Sequence, residues 1–228
     1  MKIGKREQNK RARQSAVLEA ARLLIERSGV DAVTMQALAQ SIGGSVGGLY
    51  RYFPNKEAIF SALQIDALMA FRAHLNGQDE IREHGSRKAS LRRVANHFDA
   101  WRTFREVSPN DFFLLDAFVS FPHRALDSSG SEAVEAQLDA ILAVIVDDLS
   151  EAVRLGALDA GDARLRTHMI WASMHGVEQL RKRDTTASGN YGSVALRRQL
   201  KWDLLTGWGA PKGLLAVVMA DAEEMQGT

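Results

Sequence analysis

The 228-residue chain has no cysteine. No disulfide can form, and thiolate metal sites and cysteine nucleophiles are excluded. No stretch approaches the 18 or so uninterrupted apolar residues of a membrane-spanning helix, and the basic amino terminus MKIGKREQNKRARQ lacks the apolar run a signal peptide carries behind it. A cytoplasmic protein without membrane contact is expected. Strand-like alternation is scarce, no internal repeat or low-complexity segment is present, and the six histidines are scattered with no HExxH or Cys/His cluster. Neither a metal site nor a cofactor is expected.

What the chain does hold is helical periodicity and an uneven charge. Residues 1–56 contain ten Lys or Arg against four acids, a balance of +6 inside a total of only +1. The other residues carry −5. A basic head on an acidic body suits phosphate binding by the head alone; read by itself, the tail also admits the blander reading of a disordered solubilising tail, the weaker of the two. Val17, Ala21, Leu24 and Ile25 mark one face of a first helix, and Ile59, Leu63, Ala67, Ala70 and Phe71 one face of a fourth. Further helices are predicted at 87–107, 109–122, 131–156, 162–183, 193–207 and 212–226, with Pro109 suited to a first helical position. The segments GQDEIREHGS, LDSSGS and RDTTASGNYG separate them as loops. The expected fold is all-α: a small three-helix domain over 1–62 joined to a larger helical bundle over 63–228.

The segment TMQALAQSIGGSVGGLYRYFPNK, Thr34 to Lys56, has the layout of a helix-turn-helix, whose second helix enters the major groove of double-stranded DNA. Thr34 suits an N-cap, and Leu38, Ala39 and Ile42 give the first short helix an apolar face. Gly43 suits the left-handed stop, Ser45 the next cap, and Pro54 the end, with Asn55 capping the helix that follows. Leu49 and Phe53, four apart, point inward, while Val46, Gly47, Tyr50 and Arg51 lie toward the outer side. Val46, Gly47 and Gly48 stand where base edges are approached. Thr34, Tyr50, Tyr52 and Lys56 offer phosphate contacts, and Arg51 either a phosphate or a guanine contact. Tyr52 has the stronger case for a partly buried place.

These elements in this order, from AVLEAARLLIERSG through LAQSIGGSVGGLYRYF to PNKEAIF, resemble the amino-terminal domain of the tetracycline-repressor (TetR) family over about residues 13–62. A later segment, WASMHGVEQL, is similar to the family's late helix. The position after the turn glycine, usually apolar in the family, is Gly44 here. The resemblance implies a homodimer built through a four-helix interface and a small-molecule effector held by the second domain. Segments 162–183 and 193–207 are the interface candidates: Ala172 and Gly176 allow close helix approach, and Leu196, Leu200 and Leu204 form a ridge. The same side chains also suit packing within one subunit. The aromatic concentration Trp101, Phe104, Phe112, Phe113, Phe118, Phe121, with Met169, Trp171, Met174 and His175, suits either core or an apolar effector pocket, with His175 or Asp116 as a polar anchor.

Gly43 to Gly47 also fits G-x-S-x-G, which in hydrolases requires a strand before the serine. LAQSI reads as helix instead, so an enzyme is not expected. A ligand-responsive regulator, with repression from a palindromic operator, is expected. A helical adaptor without a DNA role is the rival reading, and retention on duplex DNA separates the two.

Overall fold

The computed structural model describes residues 4–77, 85–120, 128–181, 184 and 191–226, without the side chains of 118–120, 128–130 and 223–226. All regular structure in this set is helical: α1 (Lys5–Ser28), a single 3₁₀ turn (Val30–Ala32), α2 (Met35–Ser41), α3 (Val46–Leu49), α4 (Lys56–Gly77), α5 (Arg87–His97), α6 (Ala100–Val107), α7 (Pro109–Ser120), α8 (Ser128–Arg154), α9 (Ala163–Leu180), α10 (Ser193–Gly207) and α11 (Lys212–Gln226).

The described residues gather into two compact units. One takes in the chain up to Ala70 together with Ser108–Leu138; the other takes in Phe71–Val107 and Asp139 onward. The division falls inside α4 and inside α8, so two helices belong in part to each unit. The domain boundary expected from the family resemblance, 62/63, also lies within α4.

In the first unit the core is the apolar face expected of the sequence. Val17, Ala21 and Ile25 of α1, Leu38 of α2, Leu49 of α3, and Ile59 and Leu63 of α4 are all buried. Each large side chain so buried contributes roughly 1.5–3 kcal/mol. Arg22 of α1 reaches Asp111 of α7 at 2.5 Å and Asp66 of α4 at 3.2 Å, tying three helices of this unit together. In the second unit, Phe71, Leu91, Val94, Phe98, Phe104, Ile141, Leu149, Ile170, Leu205 and Leu215 form the core.

Several element boundaries differ from the sequence expectation: α8 begins at Ser128, inside the segment LDSSGS expected as a loop, and three further differences bear on the rest of the molecule. The basic amino terminus is helical from Lys5, in one piece with α1, although its residues through Arg13 are exposed. The predicted helix 87–107 is two, α5 and α6, divided by a turn in which Phe98 N–H donates to Ala95 O and Asp99 N–H to Asn96 O. No proline or glycine marks that break; the Asp99 carboxylate instead meets Arg197 at 3.1 Å and the Lys201 ammonium, both on α10. Last, regular helix in the reading segment stops at Leu49, ahead of Pro54, and continues as a turn in which the amides of Tyr52 and Phe53 both donate to Leu49 O. Two of the four residues of α3 are glycines, each less favourable in a helix by about 0.5–1 kcal/mol than alanine, which is why it is short.

Candidate nucleic-acid interface

Each boundary of the helix-turn-helix is made by the side chain the sequence offers for it. Thr34 Oγ1 accepts from the Ala37 amide at 3.0 Å, starting α2. The Gly43 amide donates to Gln40 O and the Gly44 amide to Ala39 O, closing α2 in a turn that places Gly43 at φ +62°. Only a residue without Cβ adopts that conformation without strain. Ser45 Oγ then accepts from the Gly48 amide at 3.1 Å and begins α3, and Asn55 Oδ1 accepts from the Ala58 amide at 2.7 Å to begin α4. Such caps contribute about 1 kcal/mol each. Ser45 thus follows a helix rather than a strand, and its hydroxyl is engaged as a cap. The nucleophile-elbow geometry is not present.

With Leu49 and Phe53 buried, the opposite side of the segment faces solvent. Tyr50 is 53% exposed and Arg51, Gly47 and Ser45 are exposed, while Val46, Gly48 and Tyr52 are half-buried. A Cβ at Gly47 would meet nothing within 4 Å; one at Gly48 would meet Ser45 Oγ at 3.2 Å. Gly47 is therefore a place of free access, and Gly48 is the amide that the Ser45 cap grips. Thr34 is exposed and Lys56 half-buried, its ammonium 5.6 Å from the centroid of the Phe60 ring.

The feature that residue spacing does not show is a groove of about 1070 Å³ between the first turns of α1 and the end of the reading segment. Arg6, Lys10, Arg13 and Arg51 line it beside Tyr52, with Glu7 as its acid. Arg6, Lys10 and Arg13 recur at helical spacing and so share a side of α1. Glu7 is engaged in part by Arg11, at 3.5 Å. The helical form of the basic terminus is what turns scattered cations into one lined groove.

In the second unit, Trp101 and Phe104 of α6 pack with Phe71 at ring separations of 5.5 and 5.1 Å, and Trp171 of α9 stands 4.9 Å from Trp101 and 6.0 Å from Phe71. His175 lies 5.6 Å from Trp101. Trp101, Phe104 and Met174 are buried, and Trp171 and His175 half-buried. Phe71, read from sequence only as part of a helix face, is the centre of this cluster; its distance in sequence from the other rings hides it. His74, one turn on, shares a hydrogen bond with Thr103 Oγ1 at 2.8 Å, and burial holds its pKa below the ordinary histidine value. Phe113 and Asp116 belong to α7 in the first unit, Phe113 being 46% exposed and its neighbour Phe112 buried. The side chain of Phe118 and the whole of Phe121 lie outside the described residues.

Along α9, Leu165, Met169, Ala172, Gly176 and Leu180 are all exposed and recur at helical spacing, making one apolar stripe. Leu196, Leu200 and Leu204 of α10 are half-buried.

Residues 17–63 match the model of the bacterial regulatory proteins of the tetR family. Over 52 residues the chain is 48% identical to the nucleoid occlusion factor SlmA of Haemophilus ducreyi, a stretch amounting to 22% of this chain and 26% of that protein. The chain thus spans about a quarter of the length of that curated relative, and 41% of the length of SlmA from Edwardsiella ictaluri. Among solved structures, it is similar to the transcriptional regulator FadR of Bacillus subtilis in complex with stearoyl-CoA, with a TM-score of 0.62 and 21% identity over 85% of this chain and 98% of that one. AibR, solved with isovaleryl coenzyme A and operator DNA, gives a TM-score of 0.63 at 16% identity, over 85% and 98% of the two chains. At these identities the likeness is one of fold.

Proposed function

From the match of residues 17–63 to the model of the bacterial regulatory proteins of the tetR family, we propose that the chain is a helix-turn-helix regulator of that family and acts as a homodimeric repressor of a palindromic operator, released by a small apolar or aromatic effector. The observation that carries the DNA reading is the outward Tyr50–Arg51 edge of a fully capped helix-turn-helix, continued by a groove lined with Arg6, Lys10, Arg13 and Arg51. Val46 and Gly47 approach base edges, where a valine methyl suits a thymine methyl and glycine admits close approach. Thr34, Ser45, Tyr50, Tyr52 and Lys56 hold the register on the phosphates, with Arg51 free to take either role.

One short helix makes too few contacts for tight binding, so two copies are needed, reading half-sites roughly 34–36 Å apart. The exposed stripe of Leu165, Met169, Ala172, Gly176 and Leu180 supports α9, with α10 and its Leu196, Leu200 and Leu204, as the dimer face. The effector lies by the aromatic group of the second unit, where Trp101, Phe104, Trp171, Met174 and His175 supply apolar surface beside a polar ring nitrogen. Small apolar and aromatic compounds are the first class to screen; the acyl coenzyme A ligands of FadR and AibR, an apolar chain on a polyanionic carrier, are the second. Ligand favours a setting of α4 in which the paired reading helices no longer match successive grooves. A coupling of about 1–3 kcal/mol, typical of allostery, changes operator affinity roughly 5- to 150-fold.

The test is selection from random duplex DNA at low salt. A twofold-symmetric sequence is expected to enrich, with half-sites one duplex turn apart. Failure to be retained on any duplex would leave the chain a helical adaptor. An effector screen in which only highly charged hydrophilic metabolites move the melting temperature would overturn the apolar effector.

A further inference from the structure

The second unit contains an ionic cluster with more cations than anions. On α6, Arg105 meets Glu178 of α9; Arg181 meets the same carboxylate at 3.5 Å and Arg197 of α10 meets it at 4.0 Å. Arg197 also meets Asp99 at 3.1 Å, and the Lys201 ammonium shares that carboxylate. Arg102, on the same helix as Arg105, pairs through Nη1 alone with the exposed Glu106, at 2.9 and 2.8 Å. At the edge, Asp184 accepts two hydrogen bonds from Ser193, and these first, then the charges of Arg181 and Arg105, hold its pKa below the ordinary aspartate value. Among the described residues, four carboxylates thus stand against five cations.

Arg102 is the exception within the cluster. Its side chain is only 15% exposed, and its Nε and Nη2 are buried with no hydrogen-bond partner. Buried guanidinium N–H groups are costly to leave unpaired, because they have lost water and gained nothing. Arg197 is itself 10% exposed; burial first, and then the positive charge of Arg102, holds its affinity for its proton below the ordinary arginine level, although Asp99 opposes both. Two buried guanidinium groups that repel one another, one with its fork half unused, match an oxyanion, which accepts paired N–H bonds and offsets the surplus charge.

We propose that Arg102, supported by Arg197, forms an oxyanion site on α6 and α10 that takes the carboxylate or phosphate of a small molecule. One turn of α9 separates Glu178 from His175, so the site adjoins the aromatic group. The site stands on the buried, unpaired N–H groups of Arg102, and rests on the effector reading only in assigning the oxyanion to the effector.

The test uses the full chain with three probes: inorganic phosphate, octanoate and the uncharged octanamide. One of the two anions is expected to raise the melting temperature by about 5–10 °C at a hundredfold excess over its dissociation constant, with octanamide inert; which anion acts identifies the phosphate or the carboxylate. Arg102→Met should weaken that anion about tenfold or more, while the unliganded variant melts no lower than the parent. Arg102→Lys, which keeps the charge and loses the fork, should bind between the two. The proposal is overturned if neither anion binds, if Arg102→Met binds as the parent does, or if Arg102→Met melts well below the parent or fails to fold, any of which makes Arg102 a structural residue. Operator release is read separately: an anion that binds without releasing DNA upholds the site and counts against the effector reading.

Discussion

At Tyr50, a large aromatic side chain stands more than half exposed on a segment whose other face is buried. It adds nothing to the core, so its removal separates function from folding. Tyr50→Ala should leave the melting temperature within a degree or two, since surface substitutions of this kind move stability by about 0.5 kcal/mol or less. Operator affinity should fall about tenfold, through the absence of one good phosphate hydrogen bond and its stacking surface, measured by fluorescence anisotropy. A large loss of stability would return Tyr50 to a packing role. His74 makes the opposite case, a titratable group whose surroundings oppose its charge. Its folded-state pKa lies below the value of about 6.5 expected in the unfolded chain. The unfolded state therefore binds more protons between those two values, and stability is lost as pH falls through 6.5 toward the folded value. The loss is expected to shrink in His74→Gln, which keeps a hydrogen-bonding group toward Thr103 and cannot titrate; a slope unchanged in the variant would place the pH dependence elsewhere.

The first helix shows what an element adds to its residues. Residues 4–13 are exposed and contribute nothing to the core, yet they continue the rigid α1 and so hold Arg6, Lys10 and Arg13 at fixed spacing beside Arg51. A disordered tail of the same composition would attract DNA without aligning on it. Deleting residues 2–11 should weaken binding to every duplex, random or specific, and lower the slope of log affinity against log salt by about 0.9 for each phosphate no longer neutralised. An unchanged salt slope would refute the role given to this helix. Legibility at this scale follows the range of the forces concerned. The caps at Thr34, Ser45 and Asn55 and the turn at Gly43 are local, made within four residues, and all four can be read from residue type. The break at Phe98–Asp99 cannot, because the pull on Asp99 comes from Arg197 and Lys201, about a hundred residues away.

For the whole molecule, the proposed pairing of two copies rests on α9. The apolar stripe containing Leu165 at 60% exposure and Leu180 at 45% is the face we propose for dimerisation. Met169→Glu puts a charge at its middle in each copy. The dimer dissociation constant should rise about thirtyfold or more, as for a central interface residue, with the monomer seen by light scattering and operator binding lost in step. A variant that remains fully dimeric would place the interface on another face.

Residue order alone determined the all-α class, the helix-turn-helix between Thr34 and Lys56, and the segregation of positive charge into the first quarter, because periodicity, capping and turn chemistry act over a few residues. Tertiary structure alone decided which cations share a groove, that Phe71 joins Trp101 and Trp171, and that Arg102 is left with buried unpaired N–H groups. Those outcomes depend on helices distant in sequence meeting at particular faces, and no local pattern encodes the meeting.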